Sequence, residues 1–155
     1  MKLTTQEEYG LRCLLQLARQ GDEQSLSIAD IARMEGITAP NVAKVMRSLR
    51  RAGFVRSTRG QSGGYTLARP ADQIVVSKVI AALGGPLFDA GFCDRHAGTG
   101  PNCAHVGDCS IRPVLFQLQI AIDQVLGRLT LRHLICSEPE MRSRGAVLPL
   151  VIRSA

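Results

Sequence analysis

The chain holds 155 residues, a length that fits one compact domain with an appendage. Hydrophobic residues make up 45% and charged residues 21%, too apolar for global disorder, and no apolar run approaches the ~18–20 residues of a membrane span. The net charge is +6, and aromatics are 4% with no Trp, which argues against platforms for stacking bases. The opening MKLTTQEEYG lacks the apolar stretch of a signal peptide, so the chain reads as cytoplasmic. In a reducing compartment its five cysteines point to metal or redox use rather than to a disulfide framework.

Thr4 with Glu7, or Thr5 with Glu8, has the spacing of a capping box and opens a first helix. Leu11, Leu14, Leu15 and Ala18 give it one apolar face, and Gly21 stops it. Ser27 caps a short second helix running from Ile28 to about Glu35, and Gly36 suits the left-handed turn that ends it. A third helix starts at Thr38 or Ala39, where Pro40 is tolerated because the first turn has no helical partner for its N–H. Its apolar stripe is Val42, Val45, Met46 and Leu49; Lys44, Arg47, Arg50 and Arg51 lie mostly away from it. Residues 54–57 and 65–67 read as two strands around the turn Arg59-Gly60-Gln61-Ser62-Gly63-Gly64. Helix, tight Gly turn, helix and β-hairpin make a winged helix-turn-helix, so the fold class is mainly α with a small β-hairpin wing.

A further helix covers 74–83, after which the period is lost from 84 to 110. It returns at Val114, Leu115, Leu118, Ile122, Val125 and Leu129, a long amphipathic helix suited to dimerisation or to packing on its own domain. The organisation expected is a DNA-binding domain over 1–83, a cysteine-containing loop over 84–111, a dimerisation helix over 112–133 and a tail over 134–155. The apolar stretch 147–152, interrupted by Pro149, finds no place in this scheme.

The basicity is local. Positions 40–69 hold Lys44, Arg47, Arg50, Arg51, Arg56, Arg59 and Arg69 with no acid, and the rest of the chain sums to −1. Such a patch suits phosphate backbone; a solvated basic surface is the plainer reading. In a helix-turn-helix the second helix enters the major groove by its N-terminal residues, here Thr38, Ala39, Pro40, Asn41 and Lys44. The Asn41 amide can read adenine. Arg47 and Arg51 are placed to hold phosphates, whereas the plainer reading has Arg50 or Arg51 covering apolar surface with its stem. Arg59 and Gln61 at the wing tip can enter the adjacent minor groove.

Cys93, Cys103 and Cys109 are spaced C-x9-C-x5-C in one loop, with His96 and His105 among them. Soft thiolates select iron–sulfur clusters, zinc or Cu(I). Structural zinc sites are built on closely spaced cysteine pairs, which this loop lacks. The loose spacing favours a cluster; zinc and free or disulfide-switching thiols stay open. Cys13, near the first helix's apolar stripe, reads as a small buried hydrophobe, and Cys136 as an exposed bystander. No Cys–His–Asn constellation and no Walker motif is present, so an enzyme is not expected.

Four segments carry a resemblance: Met1-Lys2-Leu3-Thr4, Leu26-Ser27-Ile28-Ala29-Asp30-Ile31-Ala32, Leu49-Arg50-Arg51-Ala52-Gly53-Phe54-Val55, and Arg59-Gly60-Gln61-Ser62-Gly63-Gly64-Tyr65-Thr66-Leu67-Ala68. Together with the three loop cysteines they resemble the winged-helix iron–sulfur transcriptional regulators of the IscR/NsrR type, over roughly residues 1–133. The resemblance implies a homodimer on a double-stranded DNA operator, without membrane attachment. It also implies a cluster held by Cys93, Cys103 and Cys109 near the partner's DNA-binding domain. In one branch the fourth ligand is a His three residues after the last cysteine, where this chain has Arg112. In the other it is an acidic residue of the partner's first helix, and Glu8 stands at that place, one methylene longer than Asp; a plain helix-start charge is the alternative for it. His96 and His105 are the reserve ligands. The longer first gap leaves 2Fe–2S and 4Fe–4S both open. The function this implies is a cluster-dependent regulator sensing redox state, nitric oxide or iron supply; the alternative is a cluster-free thiol-redox or zinc-dependent regulator.

Overall fold

The computed structural model describes residues 3–21, 24–58 and 63–143. Helix α1 spans Thr5–Gln20. Of the two capping boxes the sequence allows, Thr4 with Glu7 forms: Glu7 N–H donates to Thr4 Oγ1 at 3.3 Å and Thr4 N–H donates to Glu7 Oε2 at 2.6 Å. That turns Glu7 inward, buried, and leaves Glu8 outside. Helix α2, Ile28–Glu35, begins where Ser27 Oγ accepts from Asp30 N–H at 3.1 Å and ends at Gly36, whose φ of 65° is left-handed. Helix α3, Ala39–Arg51, has Thr38 at its N-cap and Pro40 in its first turn, and its whole predicted stripe of Val42, Val45, Met46 and Leu49 is buried.

Strands β1, Val55–Thr58, and β2, Gly64–Leu67, pair antiparallel with Val55 opposite Leu67 and Thr58 opposite Gly64. Phe54 falls before the first strand because its N–H donates to the Leu49 carbonyl at 3.0 Å and closes the end of α3. Leu26 forms a bridge to Tyr65, with N–H···O distances of 2.8 and 3.0 Å, and so ties the wing base to the entry of α2. This contact explains Gly64: a Cβ there would lie 2.6 Å from the Leu26 carbonyl oxygen.

A single 3-10 turn, Ala71–Gln73, precedes α4, Val76–Gly84. The helix starts two residues later than its apolar pattern suggests because 74–76 pair with a distant segment. Leu131 N–H donates to the Ile74 carbonyl and Val76 N–H to the Leu129 carbonyl, both at 2.9 Å. The cysteine segment contains one short helix, α5, Phe92–Arg95. The helix expected over 112–133 is α6, Ile111–Leu126, and it stops early. The chain then turns to make the Val75–Thr130 bridge and enters α7, Leu131–Leu134. A last short helix, α8, Glu138–Ser143, occupies part of the expected tail; 147–152 lies outside the described residues.

The core gathers Leu14 and Leu17 of α1, Ile31 of α2, Val42, Met46 and Leu49 of α3, Ile74, Val79 of α4 and Leu131 of α7, each at most 1% exposed. The DNA-binding unit expected to close at residue 83 is therefore completed by Leu131, from beyond the cysteine segment. Among the described residues no helix is long and apolar enough to cross a membrane.

Candidate nucleic-acid interface and thiol segment

The core holds α3 by one face only. Thr38, Pro40, Asn41, Lys44, Arg47, Arg50 and Arg51 are all exposed on the other. Thr38 makes no side-chain cap bond, and the first turn of α3 carries no acid. Among the described residues none of Lys44, Arg47, Arg50 or Arg51 pairs with a carboxylate. Asn41 and Lys44 share a shallow pocket with Thr5, Gln6 and Tyr9 of α1. The other two described cations of the basic stretch are engaged within the fold. Arg56 Nε donates to Thr66 Oγ1 across the hairpin at 3.0 Å; Arg69 donates to the Gly53 carbonyl at 3.0 Å and lies 5.6 Å from the Phe54 ring centroid. Arg59 and Gln61, the expected wing-tip readers, lie outside the described residues.

Arg12 links the start of α1 to the helix-turn-helix. Its Nε donates to Glu35 Oε2 at 2.7 Å, its Nη2 donates to the Glu35 carbonyl, and its Nη1 lies 3.3 Å from Glu8 Oε1. Gln16 Nε2 donates to the other Glu35 oxygen. Glu35 is the last residue of α2, where the helix dipole disfavours a carboxylate, so Arg12 neutralises a charge the helix would resist. The hydrogen bond to Glu35 holds the Arg12 guanidinium above its already high ordinary pKa. Cys13 is fully buried beside this network; burial, reinforced by Glu35, pushes its thiol up to about 12, so it stays protonated and serves as packing.

Cys93, Cys103 and Cys109 are free and half-buried. Cys93 sits in α5, held by a ladder of rings: Phe88 and Phe92 centroids are 5.1 Å apart, and His96 stacks on Phe92 at 4.1 Å. His96 is also committed to the Phe92 carbonyl through Nδ1 at 2.8 Å. An Arg95–Asp89 pair at 2.7 Å braces the same turn and holds the Asp89 carboxyl below its ordinary pKa. Cys109 and His105 line a second shallow pocket with Asp108 and Ser110 at the foot of α6. Among the described residues no three His, Cys, Asp or Glu side chains converge as a metal site, so one chain does not by itself bring the three thiols, or Glu8, together. The donor chemistry still fits a soft metal centre: three accessible thiols on one segment. Cys136, expected exposed, is half-buried and donates its S–H to the His133 carbonyl at 3.3 Å.

Residues 3–137 match the Rrf2 family model, described as an iron-dependent transcriptional regulator. The chain belongs to the Rrf2 family. Protein rrf2 of Nitratidesulfovibrio vulgaris is 38% identical over 135 residues, 87% of each chain. Among solved structures, CymR, the global cysteine regulator of B. subtilis, superposes with a TM-score of 0.69 at 27% identity, over 87% of this chain and 96% of that one. T. potens IscR superposes with a TM-score of 0.67 at 28% identity, over 96% of this chain and 92% of that one. As a member of the Rrf2 family the chain is a DNA-binding, winged-helix transcriptional regulator and not an enzyme.

In this Rrf2-family chain, sequence reasoning missed the Arg12–Glu35 tie. The i,i+4 spacing of Glu8 and Arg12 is visible in the sequence; the reach to Glu35 across 23 positions is not. It also missed Arg112 and Gln119, whose contacts to the cysteine segment leave no local signature.

Proposed function

We propose that this Rrf2-family regulator is an iron–sulfur-cluster-dependent transcription factor that binds operator DNA as a homodimer. Cys93, Cys103 and Cys109 of one protomer, with Glu8 of the partner subunit, would hold the cluster. The observation that carries this reading is the set of three free, half-buried thiols on one segment between α4 and α6. When bound, a cluster would supply iron–thiolate chemistry responsive to oxidants and nitric oxide, with Cys93, Cys103 and Cys109 as its thiolates. The chain's own residues provide the readout. The Glu8 carboxylate has two uses, as a ligand or as the partner of Arg12, and Arg12 also grips Glu35 at the end of α2. A change at Glu8 therefore reaches the turn that launches α3 and alters the spacing of two recognition helices, which a dimeric operator needs fixed.

On α3, Thr38, Pro40, Asn41 and Lys44 face base edges and Arg47 and Arg51 hold phosphates, with Arg59 and Gln61 assigned to the minor groove. The dimer reading is supported by α6, a 16-residue helix with no buried residue, on which Ile111, Val114, Phe116 and Leu118 are 44–65% exposed.

Anaerobic purification followed by absorption and EPR spectra, iron and sulfide counts, and operator affinity of holo and apo protein tests the reading. Equal affinity of the two forms refutes it. A second reading, a cluster-free thiol or zinc switch, is favoured by the likeness to CymR, a cysteine regulator. A colourless, zinc-loaded or metal-free protein would establish that second reading.

A further inference from the structure

Arg112 and Gln119 stand about two turns apart on one face of α6. Both reach back to the main chain of the cysteine segment. Gln119 Oε1 accepts the Phe88 N–H at 3.1 Å, near the start of that segment. Arg112 Nη2 donates to the carbonyls of His105 and Val106 at 3.3 and 3.2 Å, between the second and third cysteines. That turn is closed on itself by the Val106 N–H, which donates to the Cys103 carbonyl at 3.2 Å. Arg112 lies in the first turn of α6, where the helix dipole disfavours a cation, and it makes no ion pair among the described residues. Its position is poor for helix stability but allows it to cap carbonyls of the cysteine turn.

We propose that Arg112 is a positioning residue: it presets the turn carrying Cys103 and Cys109 against α6 before any ligand binds, and afterwards keeps a positive charge beside those thiolates. The first role stands on geometry alone. The second rests on the cluster reading, because an anionic thiolate-bound iron centre is what such a charge would serve.

The test uses the full chain, reduced and cluster-free, as wild type, Arg112→Ala and Arg112→Lys. Amide exchange at Val106 is read against that of Cys136 as internal reference. Arg112→Ala should accelerate it by about fivefold, the scale of losing one partly exposed charge-assisted contact. Arg112→Lys, whose ammonium can donate to both carbonyls, should restore rates to within about twofold of wild type. Unchanged rates in Arg112→Ala, with an unchanged unfolding midpoint, overturn the positioning role. After anaerobic loading with ferrous iron and sulfide, Arg112→Ala should lower the midpoint potential and Arg112→Lys should return it, since a nearby cation favours the reduced, more negative form. An unchanged potential overturns the electrostatic role. If wild type takes up no iron, the cluster reading falls and the electrostatic role with it, while the exchange rates still decide positioning.

Discussion

Replacing Arg12 by alanine removes the guanidinium that links Glu8 of α1 to Glu35 at the end of α2, and its two contacts differ in exposure. The Glu8 side chain is 57% exposed and the Glu35 side chain 11%. The outer contact is an ordinary surface i,i+4 pair, about 0.3–0.5 kcal/mol. The inner contact is a hydrogen bond to a largely desolvated carboxylate, a class that contributes about 1.5–3 kcal/mol. Gln16 still donates to Glu35 in the variant, which argues for the lower half of that range. Arg12→Ala should therefore destabilise by about 2 kcal/mol, against about 0.4 for Glu8→Gln. Urea unfolding of the reduced, cluster-free chain reads this directly: a loss of that size moves the midpoint by about 1 M at unchanged slope. A double-mutant cycle of Arg12→Ala with Glu35→Gln should show coupling above about 1 kcal/mol, and one with Glu8→Gln below about 0.5. If Arg12→Ala costs no more than Glu8→Gln, the α1–α2 tie carries no free energy, and the proposed route from Glu8 to α3 fails.

Leu131 is fully buried in the DNA-binding core, so Leu131→Ala should cost about 2–5 kcal/mol in the same assay; a value within about 0.5 of wild type would mean that α7 does not belong to that core. At Gly84 a Cβ would lie 2.3 Å from Glu7 Oε1, and the capping box restrains that carboxylate; Gly84→Ala should lower stability by about 1–3 kcal/mol, seen as a Tm drop of several degrees. The Asp30 carboxyl is held below its ordinary value of 3.8, first by the Ser27 hydroxyl and then by Arg33, so its contribution is present above that pH and lost as pH falls through the lowered value. Asp30→Asn should therefore reduce stability near pH 6 and flatten the acid limb below about pH 4 in unfolding midpoints taken from pH 6 to 2; an identical acid limb would refute the assignment.

Much of the fold is legible along the chain because its causes are local. Ser27 and Gly36 bound α2 at the residues that capping chemistry requires, and the 3.6-residue spacing of Val42, Val45, Met46 and Leu49 states which face of α3 is buried. The burial of that face is also why Lys44, Arg47 and Arg51 are exposed together. The choice between two capping boxes was not legible. Thr4–Glu7 and Thr5–Glu8 are equivalent in spacing; the first forms, with Glu7 buried in the space that Gly84 of α4 leaves open. The end of α6 was equally hidden: Leu129 continues the apolar period, but its carbonyl accepts from Val76 across more than 50 positions, and that bridge breaks the helix.

Local chemistry is enough for the helix-turn-helix, the acid-free exposed face of α3 and three thiols on one segment, because caps, periods and residue types act within a few positions. Packing between distant segments sets the rest: the core closes with Leu131, Arg12 joins Glu8 to the end of α2, and Arg112 donates to carbonyls of the cysteine turn. These are contacts between elements. Their free energy depends on which buried faces and unmatched backbone groups meet, and that is set when the layers pack.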